Sequence, residues 1–218
     1  MMNSKPVPQL VIFDCDGVLI DSEILSLQAW QDVLAPHGLT ISQTYFVERF
    51  LGKSMASVVN SLKQDFDFEL DDTLSDTFHQ RLQTIFEHEL RPTPGITEVL
   101  EKLTVPYCLA TSSSPQRTRH ALDTTGLASF FTNNRFTRYD VTRGKPAPDL
   151  FLHAARTMGV TPEHCLVIED SPAGLQAADA AAMHKLRYLG ASHLPDSLAA
   201  PSDLLHWQQL QTRFADIF

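Results

Sequence analysis

From Leu10 the chain reads L-V-I-F and turns polar at Asp14, Cys15, Asp16 and Gly17. A short apolar run, rich in β-branched and aromatic residues, that stops at acids is the pattern of a strand buried on both faces and opening onto a polar site. Similar runs recur. Val105 to Thr111 ends in hydroxyls, Cys165 to Asp170 ends in acids, Lys185 to Gly190 ends in glycine, and Phe130 to Thr137 contains a weaker one. Between these runs the apolar positions switch to helical spacing. Ser114 and Pro115 cap a helix over Gln116 to Thr124; Ala147 to Met158 reads as another, with Pro148 in its first turn and Gly159 at its end. Ser171-Pro172 opens an alanine-rich helix through Ala182. Strands alternating with helices imply βαβ units with right-handed crossovers, so the expected fold is α/β: a doubly wound, Rossmann-like parallel sheet with helices on both faces.

The interval from Ser22 to Arg91 breaks the alternation. It carries almost no strand signal, whereas Glu23 to His37, Gln43 to Phe50, Ser54 to Phe66 and Asp72 to Leu90 have helical periodicity, punctuated by Gly38 and Gly52. One crossover helix would suffice to join two strands, so the excess reads as an α-helical cap inserted in the core. The expected division is a catalytic core of residues 1–21 and 92–218 and a helical cap of residues 22–91. Asp21-Ser22 and the proline-stiffened Arg91-Pro92-Thr93-Pro94-Gly95 would form a two-strand hinge.

Composition narrows the setting. A 43% hydrophobic chain of 218 residues has ample material for a packed core. Its formal net charge of -9 argues against nucleic acid or an anionic membrane surface as partner. The opening M-M-N-S-K-P-V-P-Q, with the apolar run after it cut short at Asp14, is too brief for a signal h-region or a membrane span. A cytoplasmic monomer without membrane attachment is expected. Cys15, Cys108 and Cys165 are odd in number and lie in or at the end of apolar segments, as small buried hydrophobes do. The nine histidines show no H-E-x-x-H spacing, so neither a disulfide framework nor a zinc centre is expected.

In a doubly wound sheet the ligand binds at the carboxyl ends of the strands, where Asp14, Thr111 and Asp170 stand. Carboxylates flanking a single residue at a strand mouth are costly to hold together unless a cation or proton separates them. Gathered around one cavity, Asp14, Asp16, Thr111, Lys145, Glu169 and Asp170 would form the hard oxygen site that magnesium occupies with waters and a substrate phosphate. The threonine hydroxyl and lysine ammonium would grip phosphoryl oxygens, and Asp14 would attack phosphorus to form an aspartyl phosphate. Asp16, two residues on in an extended chain, would sit on the same side and shuttle the proton. Taken singly, each has a plainer reading. Lys145 is an ordinary exposed loop lysine, Thr111 with Ser112, Ser113 and Ser114 a helix-capping loop, and Glu169-Asp170 an acidic helix start. Strand-end features arriving together in this order favour one shared site.

Together, D-C-D-G-V from Asp14, the strand-end Thr111, G-K-P-A-P-D over Gly144 to Asp149 and I-E-D-S-P-A-G over Ile168 to Gly174 resemble the four motifs of the haloacid dehalogenase-like hydrolase superfamily. Asp21-Ser22-Glu23 and the place of the cap are similar to the subgroup of β-phosphoglucomutase and sugar-phosphate phosphatases, and the likeness runs from Pro8 to Leu189. The resemblance implies that Asp14 is nucleophile and magnesium ligand, and that Asp16 is general acid and base with its backbone carbonyl on the metal. It implies phosphoryl binding by Thr111, Ser112 and Lys145, and Mg2+ ligation by Asp170 with Glu169 as ligand or supporting acceptor. The implied reaction is hydrolysis of a small phosphorylated metabolite, a sugar phosphate or a sugar-acid phosphate such as 6-phosphogluconate. Asp16 disfavours the carbon-halogen and phosphonate chemistries of relatives that lack it. Ser26 stands where β-phosphoglucomutase has a histidine, which favours phosphatase over mutase.

Substrate choice would lie with the cap, where Arg49 and Lys53 flank Leu51-Gly52 as cations for a carboxylate or second phosphate, or equally as solvated charges. The helix after Ser171 ends in Ala181-Ala182-Met183 where the family usually has glycine. A two-component receiver domain also combines a doubly wound sheet, acids, a threonine and a lysine; the helical cap and the nucleophile's place on the first strand favour the hydrolase.

Overall fold

Leu10–Phe13 (β1) lies at the centre of a five-stranded sheet of order β3-β2-β1-β4-β5, with Tyr107–Thr111 (β2), Arg135–Thr137 (β3), Cys165–Glu169 (β4) and His184–Arg187 (β5). The computed structural model describes residues 7–194 and 199–218; the opening residues 1–6, where part of the leader expectation rests, lie outside it. Every strand pair is parallel, and Ile12 stands opposite Cys108 on one side and Val167 on the other. The chain winds outward through β2 and β3, then returns to lay β4 and β5 on the far side of β1. The winding therefore reverses between β1 and β4, which is where such sheets open a crevice for ligands.

Side-chain alternation splits the core between the two faces. Val11, Phe13, Leu109, Leu166 and Ile168 pack on one face with Ile96 and Trp207. Leu10, Ile12, Cys108, Ala110, Cys165 and Val167 pack on the other, against Leu150 and Ala154 of Asp149–Thr157 and Ala177 of Pro172–Ala180. All three cysteines are free and buried, as their apolar settings imply.

Four helices intervene between β1 and Ile96–Lys102 (α5): Glu23–Leu34 (α1), Gln43–Arg49 (α2), Met55–Phe66 (α3) and Asp72–Glu89 (α4). Their starts are chemically fixed. Ser42, Ser54 and Asp71 each accept the backbone N–H three residues on, at 3.1, 3.3 and 2.8 Å. α1 and α4 are joined by Trp30 stacked on Phe78, with ring centroids 3.9 Å apart. After β2, Pro115–Thr124 (α6) starts at the Ser114 cap; Asp149–Thr157 (α7) and Pro172–Ala180 (α8) follow β3 and β4.

The linkers into and out of this insertion pair with each other. Ile20 bridges Pro92 antiparallel, the Asp21 N–H donates to Arg91 O at 3.0 Å, and the Thr93 N–H donates to Leu19 O at 2.9 Å. The Thr93 hydroxyl donates to Val18 O at 2.6 Å and accepts the Trp207 indole N–H at 3.0 Å. Trp207 precedes Gln208–Arg213 (α9), an element the pattern past Leu189 does not announce, and stacks on Tyr188 at 4.3 Å between centroids.

Several boundaries differ from the sequence reading, two of them at helices beside the strand ends. α7 starts at Asp149 with Pro148 outside it as N-cap, and α8 stops at Ala180. Ala182 then takes the left-handed φ of 55° that the family's glycine would adopt freely. Among the described residues, no helix is long and apolar enough to cross a membrane.

Candidate active site

Asp14 is the first residue beyond β1, and its N–H donates to Ile168 O of β4 at 3.0 Å, which fixes the backbone at the strand mouth. Lys145 arrives from the loop after β3. Its Nζ donates to Asp14 Oδ1 at 2.5 Å, Glu169 Oε1 at 2.8 Å and Ala110 O at 2.9 Å, using all three protons. Its side chain is only 3% exposed, so it is not the solvated loop lysine that it resembles in isolation. Burial works against the ammonium, but Asp14 and Glu169 outweigh it and raise its pKa.

Glu169 closes β4. Its Oε2 accepts the Ser171 N–H at 2.7 Å and the Ser171 hydroxyl at 2.9 Å, so both carboxylate oxygens are occupied once Lys145 is counted. Gly174 makes this possible, because a Cβ there would collide with the Glu169 carboxylate. Asp170 follows, with Oδ2 buried and without a hydrogen-bond partner. Oxygens of Asp14, Glu169 and Asp170 come within 4.8 Å of one another. Burial, opposed by Lys145 and reinforced by Glu169 and Asp170, pushes the Asp14 carboxyl well above its ordinary pKa. Burial and then Glu169 push Asp170 up likewise. Three acids thus share one ammonium, and an all-oxygen set with an unpartnered carboxylate oxygen fits a hard divalent cation.

Asp16 is held differently. Its Oδ1 accepts the Ser22 hydroxyl at 2.7 Å and Arg117 Nη2 at 2.9 Å, and its Oδ2 accepts the Ser113 hydroxyl at 2.7 Å. Burial would raise its pKa, but Arg117 and the two hydroxyls prevail and keep it below the ordinary value. Ser22, placed to cap α1, spends its hydroxyl on Asp16 instead. Thr111 ends β2, buried, with Oγ1 accepting the Ser113 N–H at 3.0 Å, while Ser112 beside it is exposed.

These groups line a cavity of about 800 Å³ between the strand ends and the helical insertion. Asp14, Asp16, Thr111, Ser112, Lys145, Glu169 and Asp170 all face it, and Trp30, Phe50 and Phe78 supply an apolar wall. Lys53 lines it from the insertion, exposed and without an ion pair to the described residues. Arg49 does not line it. Its guanidinium forms a two-point bond to Asp65, at 2.7 and 2.8 Å, and the Tyr45 hydroxyl donates to the same carboxylate. The structure therefore separates the two cations that the sequence grouped: Arg49 is spent within the insertion, and Lys53 stays available.

Sequence reasoning missed Arg117 and His193. Arg117 sits in the first turn of α6, grips Asp16 and lies 5.2 Å over the Phe86 ring of α4, so it spans core and insertion. Its place three residues after the Ser114 cap, directly behind the strand-end loop, was the available signal. His193 is fully buried beside Asp170, and nothing in its local sequence marks it.

A doubly wound sheet with a buried acid cluster and lysine at its carboxyl edge, roofed by inserted helices, defines a hydrolytic enzyme built to receive an anionic group beside a cation. The chain belongs to the haloacid dehalogenase-like hydrolases, whose family model matches residues 8–182. It is 27% identical over 186 residues to 6-phosphogluconate phosphatase of Escherichia coli (strain K12), covering 85% of this chain and 84% of the relative. It is 32% identical over 188 residues to hexitol phosphatase A of the same organism, covering 79% of each. Among solved structures, it is similar to a haloacid dehalogenase family hydrolase from Deinococcus radiodurans R1 with bound phosphate and sodium. That match has a TM-score of 0.82 at 31% identity and covers 98% of this chain and 97% of the other. The enzyme class is phosphoric monoester hydrolase.

Proposed function

We propose that this enzyme hydrolyses small phosphorylated metabolites, sugar phosphates or sugar-acid phosphates, through an aspartyl-phosphate intermediate on Asp14, with Mg2+ as cofactor and the helical insertion acting as a cap. The observation that carries the reading is the setting of Asp14. It is a buried carboxylate at a strand mouth, joined to Lys145 at 2.5 Å and grouped with Glu169 and the unpartnered oxygen of Asp170.

Asp14 forms a P–O bond as the ester P–O bond breaks, and the leaving oxygen takes a proton from Asp16; water then cleaves the acyl phosphate and returns a proton to Asp16. The donors on Asp16 favour the carboxylate, which suits the second step. For the first, the entering substrate must draw a donor away from Asp16. Thr111, Ser112 and Lys145 hold the phosphoryl oxygens. Asp14 and Asp170, with the Asp16 carbonyl, would hold Mg2+, which supplies positive charge against those oxygens when bound. Glu169 supports them by orienting Lys145, its own oxygens being occupied.

Two features support a phosphatase acting on a sugar-acid phosphate. Ser26, where a mutase has histidine, is buried with its hydroxyl donated to Ser22 O at 3.2 Å. Lys53 offers the cavity a free ammonium for a second anionic group, and a relative at 27% identity is a 6-phosphogluconate phosphatase. The test is phosphate release, with Mg2+ and with chelator, from p-nitrophenyl phosphate, 6-phosphogluconate, hexitol phosphates and β-glucose 1-phosphate. Release that depends on Mg2+ supports the reading. No release from any substrate overturns it, and conversion of β-glucose 1-phosphate to glucose 6-phosphate would mark a mutase.

A further inference from the structure

The proposed chemistry leaves one buried imidazole without a task. His193 has no exposed surface, and neither ring nitrogen has a hydrogen-bond partner among the described residues. Its Nε2 lies 3.1 Å from Asp170 Oδ2, off the hydrogen-bonding angle, and that oxygen is itself unpartnered. Two buried polar atoms left unsatisfied this close are unfavourable, and a small rotation of ring or carboxylate turns the contact into an N–H···O bond. Gly17 permits the approach. A Cβ there would collide with the Asp170 carboxylate and lie 2.9 Å from His193 Cε1.

The backbone carrying the imidazole is tied to the other end of the molecule. The His193 carbonyl accepts Gln43 Nε2 of α2 at 2.9 Å. Ser192 donates its N–H to Asp21 Oδ1 at 3.0 Å and its hydroxyl to Asp21 Oδ2. Asp21 belongs to the linker paired with Arg91, and Gln43 to the inserted helices. A single two-residue segment therefore touches the acid cluster, the linker and the insertion.

We propose that His193 is a positioning residue that holds Asp170 in the orientation needed to ligate a divalent cation, and that Gln43 couples this orientation to the seating of the cap. The inference rests on the metal-dependent reading of the site. A carboxylate with one oxygen held by an N–H presents the other to the ion with less rotational freedom, and groups that orient ligands in this way change metal affinity by about 10–100-fold. Coupling is reciprocal, so the bound ion also holds the cap in place.

The experiment measures Mn2+ binding by electron paramagnetic resonance on the full chain, with circular dichroism to verify folding. His193→Leu is expected to weaken binding by about 10–100-fold. His193→Gln restores most of it, since its amide donates from near the Nε2 position. Gln43→Ala, at an exposed position that tolerates change, weakens binding by a smaller factor. Combined with His193→Leu it adds nothing, because both act along one chain of contacts. Unchanged affinity in His193→Leu overturns the inference, as does unchanged affinity in Gln43→Ala should the leucine variant not fold. Wild-type protein that takes up no Mn2+ overturns the metal reading as well, whereas wild-type binding with unaltered variants overturns this inference alone.

Discussion

Lys145 Nζ and Asp14 Oδ1 meet at 2.5 Å from positions 131 residues apart, and the same ammonium is bonded to Glu169. Removing it leaves buried carboxylates facing one another. Lys145→Met is expected to destabilise the metal-free protein by about 3–5 kcal/mol, the penalty for breaking a buried pair from one side. Urea denaturation measures this, and added Mg2+ is expected to recover part of the loss by binding only the folded state. A stability equal to wild type would mean that the ammonium does not hold the cluster together.

Asp14→Asn removes the attacking oxygen and keeps the shape. Turnover is expected to fall by at least about 10³-fold, the scale on which removing a covalent nucleophile acts. Steady-state assays with p-nitrophenyl phosphate, beside an unchanged circular dichroism spectrum, check this.

Lys53 and Arg49 should part company. Lys53→Ala is expected to raise KM about 10-fold for substrates with a second anionic group, the worth of one charged hydrogen bond, and to leave p-nitrophenyl phosphate unaffected. Arg49→Ala, being spent on Asp65, should change neither. Equal effects of the two substitutions would contradict the assignment.

Glu23, half-buried at the cavity, is pushed by burial, and then by Asp16, from its ordinary 4.5 up to about 8, with His193 and Arg117 opposing and Asp170 adding. The folded protein therefore binds a proton that the unfolded chain has released, so stability of the metal-free enzyme falls as pH rises from 4.5 toward about 8. Denaturation midpoints across that window should decline in the wild type and decline less in Glu23→Gln. A wild-type midpoint that rises across the window would refute the sign.

Ala182 occupies left-handed backbone at φ 55°. Ala182→Gly is expected to stabilise the protein by about 1 kcal/mol, since the Cβ clash goes while the helix end is retained. Thermal unfolding would show it as a higher Tm with phosphatase activity unchanged.

The strand mouths were legible because their signal is local. An apolar run that stops at an acid or hydroxyl marks where a strand ends, and β1, β2 and β4 end at Phe13, Thr111 and Glu169; that these ends share one site followed only from their arriving together. The inserted helices were legible for the same reason, Ser54 and Asp72 marking starts within a residue of those observed. What escaped depends on reach across the fold. Arg117 acts on Asp16 from 101 residues away, and Gln43 on His193 from 150. No periodicity records such a meeting. Arg49 and Lys53 show the converse limit: neighbours in sequence diverged because Asp65, across the insertion, claimed one of them.

The indole bond from Trp207 to Thr93 bears on how the enzyme is made. Every catalytic candidate, from Asp14 to Asp170, is synthesised before Trp207, yet the second linker acquires its last partner only from that tryptophan. A translation product interrupted between Asp170 and Trp207 carries the full set of candidate reactive groups on an articulation still missing a pin, so the linker is complete only once this residue is in place.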